Sequence, residues 1–315
     1  MAREEKQMTM TPNKIGMIGI GRMGHGIATN LVSKGFDLRF LDHPGNQPAG
    51  DLVKAGAVSC TSIAEVVAGR DLVILCVTGS AEVENILFGA SDNGTDPGKG
   101  GLAEASAKGL VVMDCSTCLP SETRRFAERL APLGITLFDA AMTRTPAEAA
   151  AGRLNLILGG DADTIAGAMP VMRAFAEVIT HAGGTGMGQE AKLLHNFVSL
   201  GFSAVLAEAA GRARAAQIDQ DAFLEIIGKG GGGGVVFDRF VPYLKHGNTD
   251  AFRFTLANSI KDLGYFGEMI RATESSSLSS AIRDLYSRAA ADLGPEATVP
   301  EMTGTVARDI RQDQG

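Results

Sequence analysis

Gly19, Gly21 and Gly24 stand in the run Gly19-Ile20-Gly21-Arg22-Met23-Gly24, a spacing that suits one kind of chemistry. The run follows an apolar segment, Lys14–Gly19, and opens a helical pattern, His25–Lys34. In that context Gly19 allows a tight turn, Gly21 lets backbone approach a pyrophosphate, and Gly24 permits close packing of helix on strand. Phosphate charge would rest on the N–H groups and dipole of the helix start, with Arg22 and Met23 in the same loop. The next strand ends at Asp42. A carboxylate there accepts hydrogen bonds from ribose hydroxyls and repels a 2′-phosphate, so NAD is expected as cofactor rather than NADP. The plainer alternative for Asp42 is a solvated carboxylate in the turn Asp42-His43-Pro44-Gly45.

Cys115-Ser116-Thr117-Cys118 spells C-x-x-C, a redox or metal signal in some contexts. Zinc needs two further ligands, and the sequence holds no second pair of cysteines and no histidine cluster. A buried strand end is the simpler reading, and no metal is expected. A formal net charge of −7 argues against a nucleic-acid partner. The polar N-terminus lacks the apolar core of a signal peptide. No uninterrupted apolar run reaches the ~18 residues of a membrane span. A cytoplasmic protein with no membrane partner is the expectation.

The elements that must position these groups follow from periodicity. Lys14–Gly19, Leu38–Asp42, Asp71–Val77, Leu110–Cys115 and Ile135–Asp139 are short apolar runs without polar alternation, as in parallel strands covered on both faces. Helical patterns lie between them, at Ser62–Ala68, Ala81–Leu87 and Pro120–Leu133. Leu154–Gly159 and Val178–Thr180 add strands around a helix near Ala162–Phe175. This alternation predicts a doubly wound α/β Rossmann domain. After Gly183-Gly184-Thr185-Gly186 the pattern becomes helical throughout. A stretch from about 187 to 217 predicts a helix of roughly 45 Å, long enough to join two domains. Phe223–Ile227, Asp238–Leu244, Ser259–Arg271 and Leu278–Asp292 predict an all-α C-terminal domain. The expected division is a flexible N-terminus over 1–13, a Rossmann domain over 14–183 and an all-α domain over 184–315. Asn93–Gly101 reads as loop, and Gly228–Gly234 as either a flexible linker or a lid.

Four blocks in order, Gly16–Gly24, Asp114–Pro120, Gly183–Asn196 and Lys261-Asp262-Leu263-Gly264, make the chain resemble the β-hydroxyacid dehydrogenases. That family includes 3-hydroxyisobutyrate dehydrogenase, tartronate semialdehyde reductase and sulfolactaldehyde reductase. The resemblance implies hydride transfer between nicotinamide and a small anionic β-hydroxy acid or its semialdehyde. It gives Lys192 the catalytic role, as the group that relays the hydroxyl proton. Taken alone, Lys192 could equally be a lysine snorkelling from a helix flank. The resemblance further implies that Ser116 and Asn196 face the substrate and that Thr117 and Lys261 face the cofactor. His195 and Ser199 fall within the same two helical turns and could reach the substrate, although a lone helical histidine is more often a packing residue. Val77 and Thr78, at a strand's C-terminal end, are expected to line the nicotinamide side of the cleft. Many members carry a serine and two glycines where this chain has Thr143, Arg144 and Thr145. Arg144 with Thr145 then offers a cationic fork for a carboxylate or sulfonate, as in sulfolactaldehyde reductase, although a surface arginine is the alternative. A homodimer or homotetramer is the expected assembly. Two other readings are an imine reductase-like enzyme and a non-catalytic NAD(H)-binding protein. The retained Lys192 counts against both.

Overall fold

A computed structural model of the chain describes residues 12–89, 100–270 and 277–312. Most of the expected flexible N-terminus lies outside the described residues, as do most of the loop Asn93–Gly101 and the end of the segment Ser259–Arg271. The chain divides into two compact units, Met1–Lys192 and Leu193–Gly315.

The first unit is built on an eight-stranded sheet. Its strands are β1 (Lys14–Ile18), β2 (Asp37–Leu41), β3 (Val58–Cys60), β4 (Leu72–Leu75), β5 (Val111–Asp114), β6 (Thr136–Thr143), β7 (Leu154–Gly159) and β8 (Ala176–Gly183), in the spatial order β3-β2-β1-β4-β5-β6-β7-β8. The first six are mutually parallel; β7 runs antiparallel to β6, and β8 parallel to β7. Leu72, Val73, Ile74 and Leu75 are all fully buried, which is why β4 reads as an unbroken apolar run. Helices cover the sheet, and separate apolar clusters pack around Met17, Leu31 and Phe138 and around Val73, Leu87 and Phe126. The result is a Rossmann-type sheet.

Two strands differ from their expected lengths for one reason. β6 runs on to Thr143 and β8 spans Ala176–Gly183 because each finds backbone partners on β7. Polar residues such as Glu177 and His181 interrupt the apolar pattern without interrupting those hydrogen bonds. Three-residue β3 carries too little pattern to be seen in sequence.

Helix starts follow local chemistry. Ser62 caps Ile63–Val67 by accepting the Glu65 N–H, and Asp161 caps Ala162–Met172 by accepting that of Thr164. The first helix, Gly24–Ser33, packs tightly at its beginning. A Cβ on Gly24 would lie 2.0 Å from the Gly19 carbonyl oxygen, and one on Gly26 would lie 2.6 Å from Ala149 carbonyl carbon. That second approach brings in the short helix Pro146–Ala150, and the Asn30 side-chain amide donates to the carbonyls of Ala149 and Ala150 at 3.0 and 3.1 Å.

A long helix, Met187–Ala215, begins in the first unit and continues through the second. By length and composition it is apolar enough to cross a membrane, with a mean hydropathy of 1.3 over its best window. Its Leu200, Ala204, Leu206, Ala207 and Ala210 instead enter the second unit's core. That unit adds helices Gln220–Lys229, Val235–His246, Leu256–Ile270, Ser277–Leu293 and Met302–Gln312, the last not foreseen in sequence. Tyr286 is fully buried there, and its hydroxyl donates to the Leu200 carbonyl at 3.0 Å. The glycine run Gly228–Gly234 is a turn folded back on its own helix end. A Cβ on Gly233 would sit 2.6 Å from the Gly228 carbonyl oxygen, and one on Gly230 would sit 2.9 Å from that of Ile226. A Cβ on Gly231 or Gly234 would meet nothing within 4 Å, so close packing asks for glycine in only part of the run.

Candidate functional site

The glycine loop has the geometry of an anion cradle. Gly19 takes a φ of +95°, and a Cβ there would lie 2.2 Å from the Cys76 carbonyl oxygen, so the turn requires glycine. Gly21 is different. The nearest heavy atom to a Cβ at Gly21 is the Gly45 carbonyl oxygen, 4.0 Å away, which leaves the loop open to a ligand. The helix that follows has no side-chain cap and no acidic residue in its first turn. The His25 N–H is returned to the Gly21 carbonyl at 2.9 Å, and no side chain competes with an incoming anion for the other N–H groups of the helix start. Arg22 is exposed, and Met23 is half-buried against the core.

Asp42 lies just beyond β2, exposed, with no side-chain hydrogen bond among the described residues. Its backbone N–H is anchored on the Cys60 carbonyl at 2.8 Å. Asn46 was not foreseen. Its amide donates to the Leu41 carbonyl at 2.8 Å and accepts the Ile20 N–H at 3.4 Å, tying the loop after β2 to the glycine loop. An open glycine, an uncapped helix start and an uncommitted carboxylate at the next strand end together fit a dinucleotide.

A second set of groups lines the strand ends. Sheet register aligns Ile18, Leu75, Asp114, Asp139 and Gly159 in one row. Just past it, Ser116 Oγ accepts the Val77 N–H at 3.0 Å, and the Ser116 N–H donates to Asp114 Oδ1 at 2.9 Å. Ser80 Oγ receives the Leu119 N–H at 3.0 Å. Thr78 is exposed and Thr117 half-buried at the same edge. Burial pushes the Cys76 thiol up to about 12 and the Cys115 thiol well above its ordinary value. Those two thiols therefore stay protonated and poorly nucleophilic. None of the four cysteines is in a disulfide, and no cluster of three or more His, Cys, Asp or Glu side chains that could hold a metal occurs among the described residues.

Asp139 joins this edge to the start of the long helix. Its Oδ1 accepts the Gly186 N–H at 2.7 Å and its Oδ2 the Gln189 N–H at 2.8 Å. So close an approach needs two bare backbones, because a Cβ on Gly159 or on Gly188 would each come within 2.6 Å of Asp139 Oδ2. The Gln189 carboxamide then spans the Ser116–Cys118 loop, donating to the Ser116 carbonyl at 2.9 Å and accepting the Cys118 N–H at 3.0 Å. One turn further along the helix stands Lys192, 9% exposed. Sequence reasoning singled out Lys192 and Ser116 but not the pair that fixes them. The signal available was the spacing Gly184-x-Gly186-x-Gly188-Gln189.

The second unit carries its own cluster. Asn196 Nδ2 donates to Asp262 Oδ2 at 2.6 Å, while the Lys261 ammonium lies 3.0 Å from Asp262 Oδ1. His195 Nδ1 is 3.0 Å from Asn196 Oδ1. Asn196 and Asp262 are both buried. Asp262 thus joins two predicted residues, Asn196 and Lys261, and was itself overlooked, although it lies inside the quoted Lys-Asp-Leu-Gly block. Ser199 turns its hydroxyl back to the Asn196 carbonyl at 3.3 Å.

Arg144 stands just after β6 with a φ of 80°. Its guanidinium is paired with Glu177 on β8 and donates to the Arg153 carbonyl. Thr145 caps the helix Pro146–Ala150 in a reciprocal box with Glu148. Both residues have partners inside the protein, which the sequence did not show.

Residues 14–184 match the family model described as the NAD binding domain of 6-phosphogluconate dehydrogenase. Residues 186–305 match the NAD-binding domain of NADP-dependent 3-hydroxyisobutyrate dehydrogenase. The chain is 30% identical to 3-sulfolactaldehyde reductase of Escherichia coli strain K12, over 88% of this chain and 90% of that protein. It is 31% identical to 3-hydroxyisobutyrate dehydrogenase of Pseudomonas aeruginosa, over 87% of this chain and 91% of the relative. In fold it is similar to a crystal structure of 3-hydroxyisobutyrate dehydrogenase from Salmonella typhimurium, with a TM-score of 0.80 at 23% identity, covering 93% of this chain and 99% of that one.

Asp139 also gives a pH test. Burial raises its carboxyl from 3.8 to about 6, against the opposing pull of the Gly186 and Gln189 N–H groups. With the folded value above the unfolded one, the folded chain holds this proton more tightly. The stability this group contributes is therefore full below about pH 4 and is lost as pH rises through about 6. In urea unfolding, the gap in stability between the wild type and Asp139→Asn should shrink from pH 4.5 to pH 7. A gap that widens over that interval contradicts the assignment.

Proposed function

The chain belongs to the 3-hydroxyisobutyrate dehydrogenase family, and from that premise we propose that it transfers hydride between NAD and a small anionic β-hydroxy acid or its semialdehyde. One observation carries the reading. Lys192 is buried on the first turns of a helix whose start is hydrogen-bonded to the strand ends beside Ser116.

The chemistry asks two things of the protein. A bound nicotinamide dinucleotide supplies the acceptor or donor of the hydride. When hydride leaves a carbinol carbon, the hydroxyl proton must leave as well, and the Lys192 amine takes it. In the reverse direction the Lys192 ammonium donates to the carbonyl oxygen and offsets its growing negative charge. Ser116, Asn196, His195 and Ser199 are the proposed substrate contacts. Gly19, Gly21, Arg22, Met23, Gly24, Asp42, Val77, Thr78, Thr117 and Lys261 are the proposed cofactor contacts.

The finer choices rest on single residues. The open Asp42 carboxylate favours NAD, since a 2′-phosphate would bring a second negative charge to it. Arg144 with Thr145 is the proposed anchor for the substrate's carboxylate or sulfonate, the same Arg-Thr pattern that sulfolactaldehyde reductase carries. Glu177 now holds the guanidinium, so an anionic substrate would compete with it or share its remaining N–H donors. The reading includes a cytoplasmic homodimer or homotetramer. Exposed Leu194, Val198 and Val205 give the long helix an apolar surface of the kind subunit contacts cover.

Three experiments test these assignments on a panel of small hydroxy acids, sulfonates and their aldehydes, followed by NADH absorbance. Lys192→Ala should lower kcat by about 10²- to 10⁴-fold with little change in NADH affinity; retention of full turnover would remove Lys192 as the proton relay. Asp42→Ala should raise the NADP-to-NAD ratio of kcat/KM by about tenfold or more. Equal use of both cofactors by the unmutated protein would already contradict the assignment. Arg144→Ala should raise KM for anionic substrates by about tenfold or more while barely moving that for neutral aldehydes. An equal rise for both classes would exclude Arg144 as the anchor.

A further inference from the structure

We infer that Gln189 is a positioning residue for hydride transfer: its carboxamide locks the Ser116–Cys118 loop to the helix turn that carries Lys192, so that both act as one rigid group. The inference rests on the functional reading above, since it concerns how Lys192 and Ser116 are held.

Gln189 is fully buried and every polar atom near its end is engaged. Nε2 donates to the Ser116 carbonyl at 2.9 Å, and Oε1 accepts the Cys118 N–H at 3.0 Å. This is the two-bond pattern of one β-strand residue pairing with another, made here by a side chain. The residue's own N–H is bound to Asp139 Oδ2 at 2.8 Å. One residue thus touches the β5 exit loop through its side chain and the middle of β6 through its backbone. Ser116, held from the other side by the Val77 N–H, has no freedom left to shift relative to the helix.

Lys192 lies three positions after Gln189, which puts the two on one helix face, about 5–6 Å apart at Cβ. A tilt of the helix start would move the lysine amine by a similar amount, and a displacement of about 1 Å at a reacting group costs on the order of 10²-fold in rate.

The amide can be tested by its one isostere that titrates. In Gln189→Glu, a neutral carboxylic acid would still donate to the Ser116 carbonyl and accept the Cys118 N–H. An ionised carboxylate would turn an acceptor oxygen on the Ser116 carbonyl oxygen and repel it. The ionisable groups around this position are Asp139 on β6, Asp114 and Cys118 on the β5 side, Arg124 against Gly186, and Glu190 and Lys192 on the same helix. Burial beside Asp139 and Asp114 favours the neutral form of the introduced acid.

The experiment measures kcat for wild type, Gln189→Glu and Gln189→Met from about pH 6 to about pH 9.5, with NADH affinity and amide exchange at Cys118. Gln189→Met should lose about tenfold or more in kcat at every pH, with NADH affinity within about twofold of wild type. Gln189→Glu should match or approach wild type at low pH and fall away as pH rises, and the Cys118 N–H should exchange faster in step. A Glu variant equal to wild type throughout, beside an impaired Met variant, also supports the inference. A Met variant within about twofold of wild type, or a Glu variant impaired by one factor at all pH values, overturns it. Cys118 exchange needs no substrate. Loosened exchange with intact kcat therefore refutes this inference alone, whereas a wild type inactive on the whole panel refutes the functional reading.

Discussion

A buried carboxylate accepting two backbone N–H groups organises the first unit. Asp139 has no solvent contact, and its oxygens are taken by Gly186 and Gln189 at the start of the long helix. Removing a carboxylate from water costs several kcal/mol, and only well-placed donors offset it. The helix start provides those donors unpaired, with a positive dipole end behind them. Each side therefore satisfies the other's deficit. This exchange ties the first turn of the long helix to β6.

The exchange works only because the sheet and the glycines leave room for it. Register places Asp139 between Asp114 on β5 and Gly159 on β7. Two carboxylates, Asp114 and Asp139, thus stand in one row at the strand ends. Their charges do not simply add. Asp114 is spent inward, on the Ser116 N–H and toward the Cys118 thiol, while Asp139 is spent on the helix. Gly159 and Gly188 are the two positions where any side chain would displace that carboxylate. The antiparallel β7 matters for the same reason, since its C-terminal end brings Gly159 beside Asp139.

Some of this was legible in the sequence and some was not, for identifiable reasons. Gly19, Gly21 and Gly24 could be read because each glycine answers a local demand of a strand–turn–helix. β4 could be read because burial on both faces leaves no polar residue in it. β3 could not, being three residues long, and neither could the full length of β8, whose polar side chains hide its pairing with β7. Lys192 and Asn196 came into view through the family resemblance, and their separation by one helical turn made them neighbours. Asp139, Gln189 and Asp262 did not, because their roles are made by partners distant in sequence: Gly186 for Asp139, Cys118 for Gln189, Asn196 for Asp262. Gly228–Gly234 was read by composition alone as a linker or a lid. Composition did not show that Gly230 and Gly233 let backbone approach backbone.

Local rules are broken where the function is proposed, and nowhere more plainly than at Arg144. A φ of 80° on an arginine lies in the region that favours glycine, and holding a bulky residue there costs on the order of 1–3 kcal/mol. Family members that carry glycine at this point avoid that cost. This chain accepts it, and surrounds the residue with compensations: the Glu177 carboxylate and the Arg153 carbonyl hold the guanidinium, while Thr145 and Glu148 stiffen the turn that follows. Strain combined with a pre-set guanidinium is what a fixed cationic recognition group requires, because an arginine already oriented loses less rotamer freedom when an anion arrives. In the anchoring role proposed above, the pairing with Glu177 would set selectivity as well as position. A neutral ligand has nothing to offer the guanidinium that Glu177 does not offer better, whereas a carboxylate or sulfonate competes on equal terms.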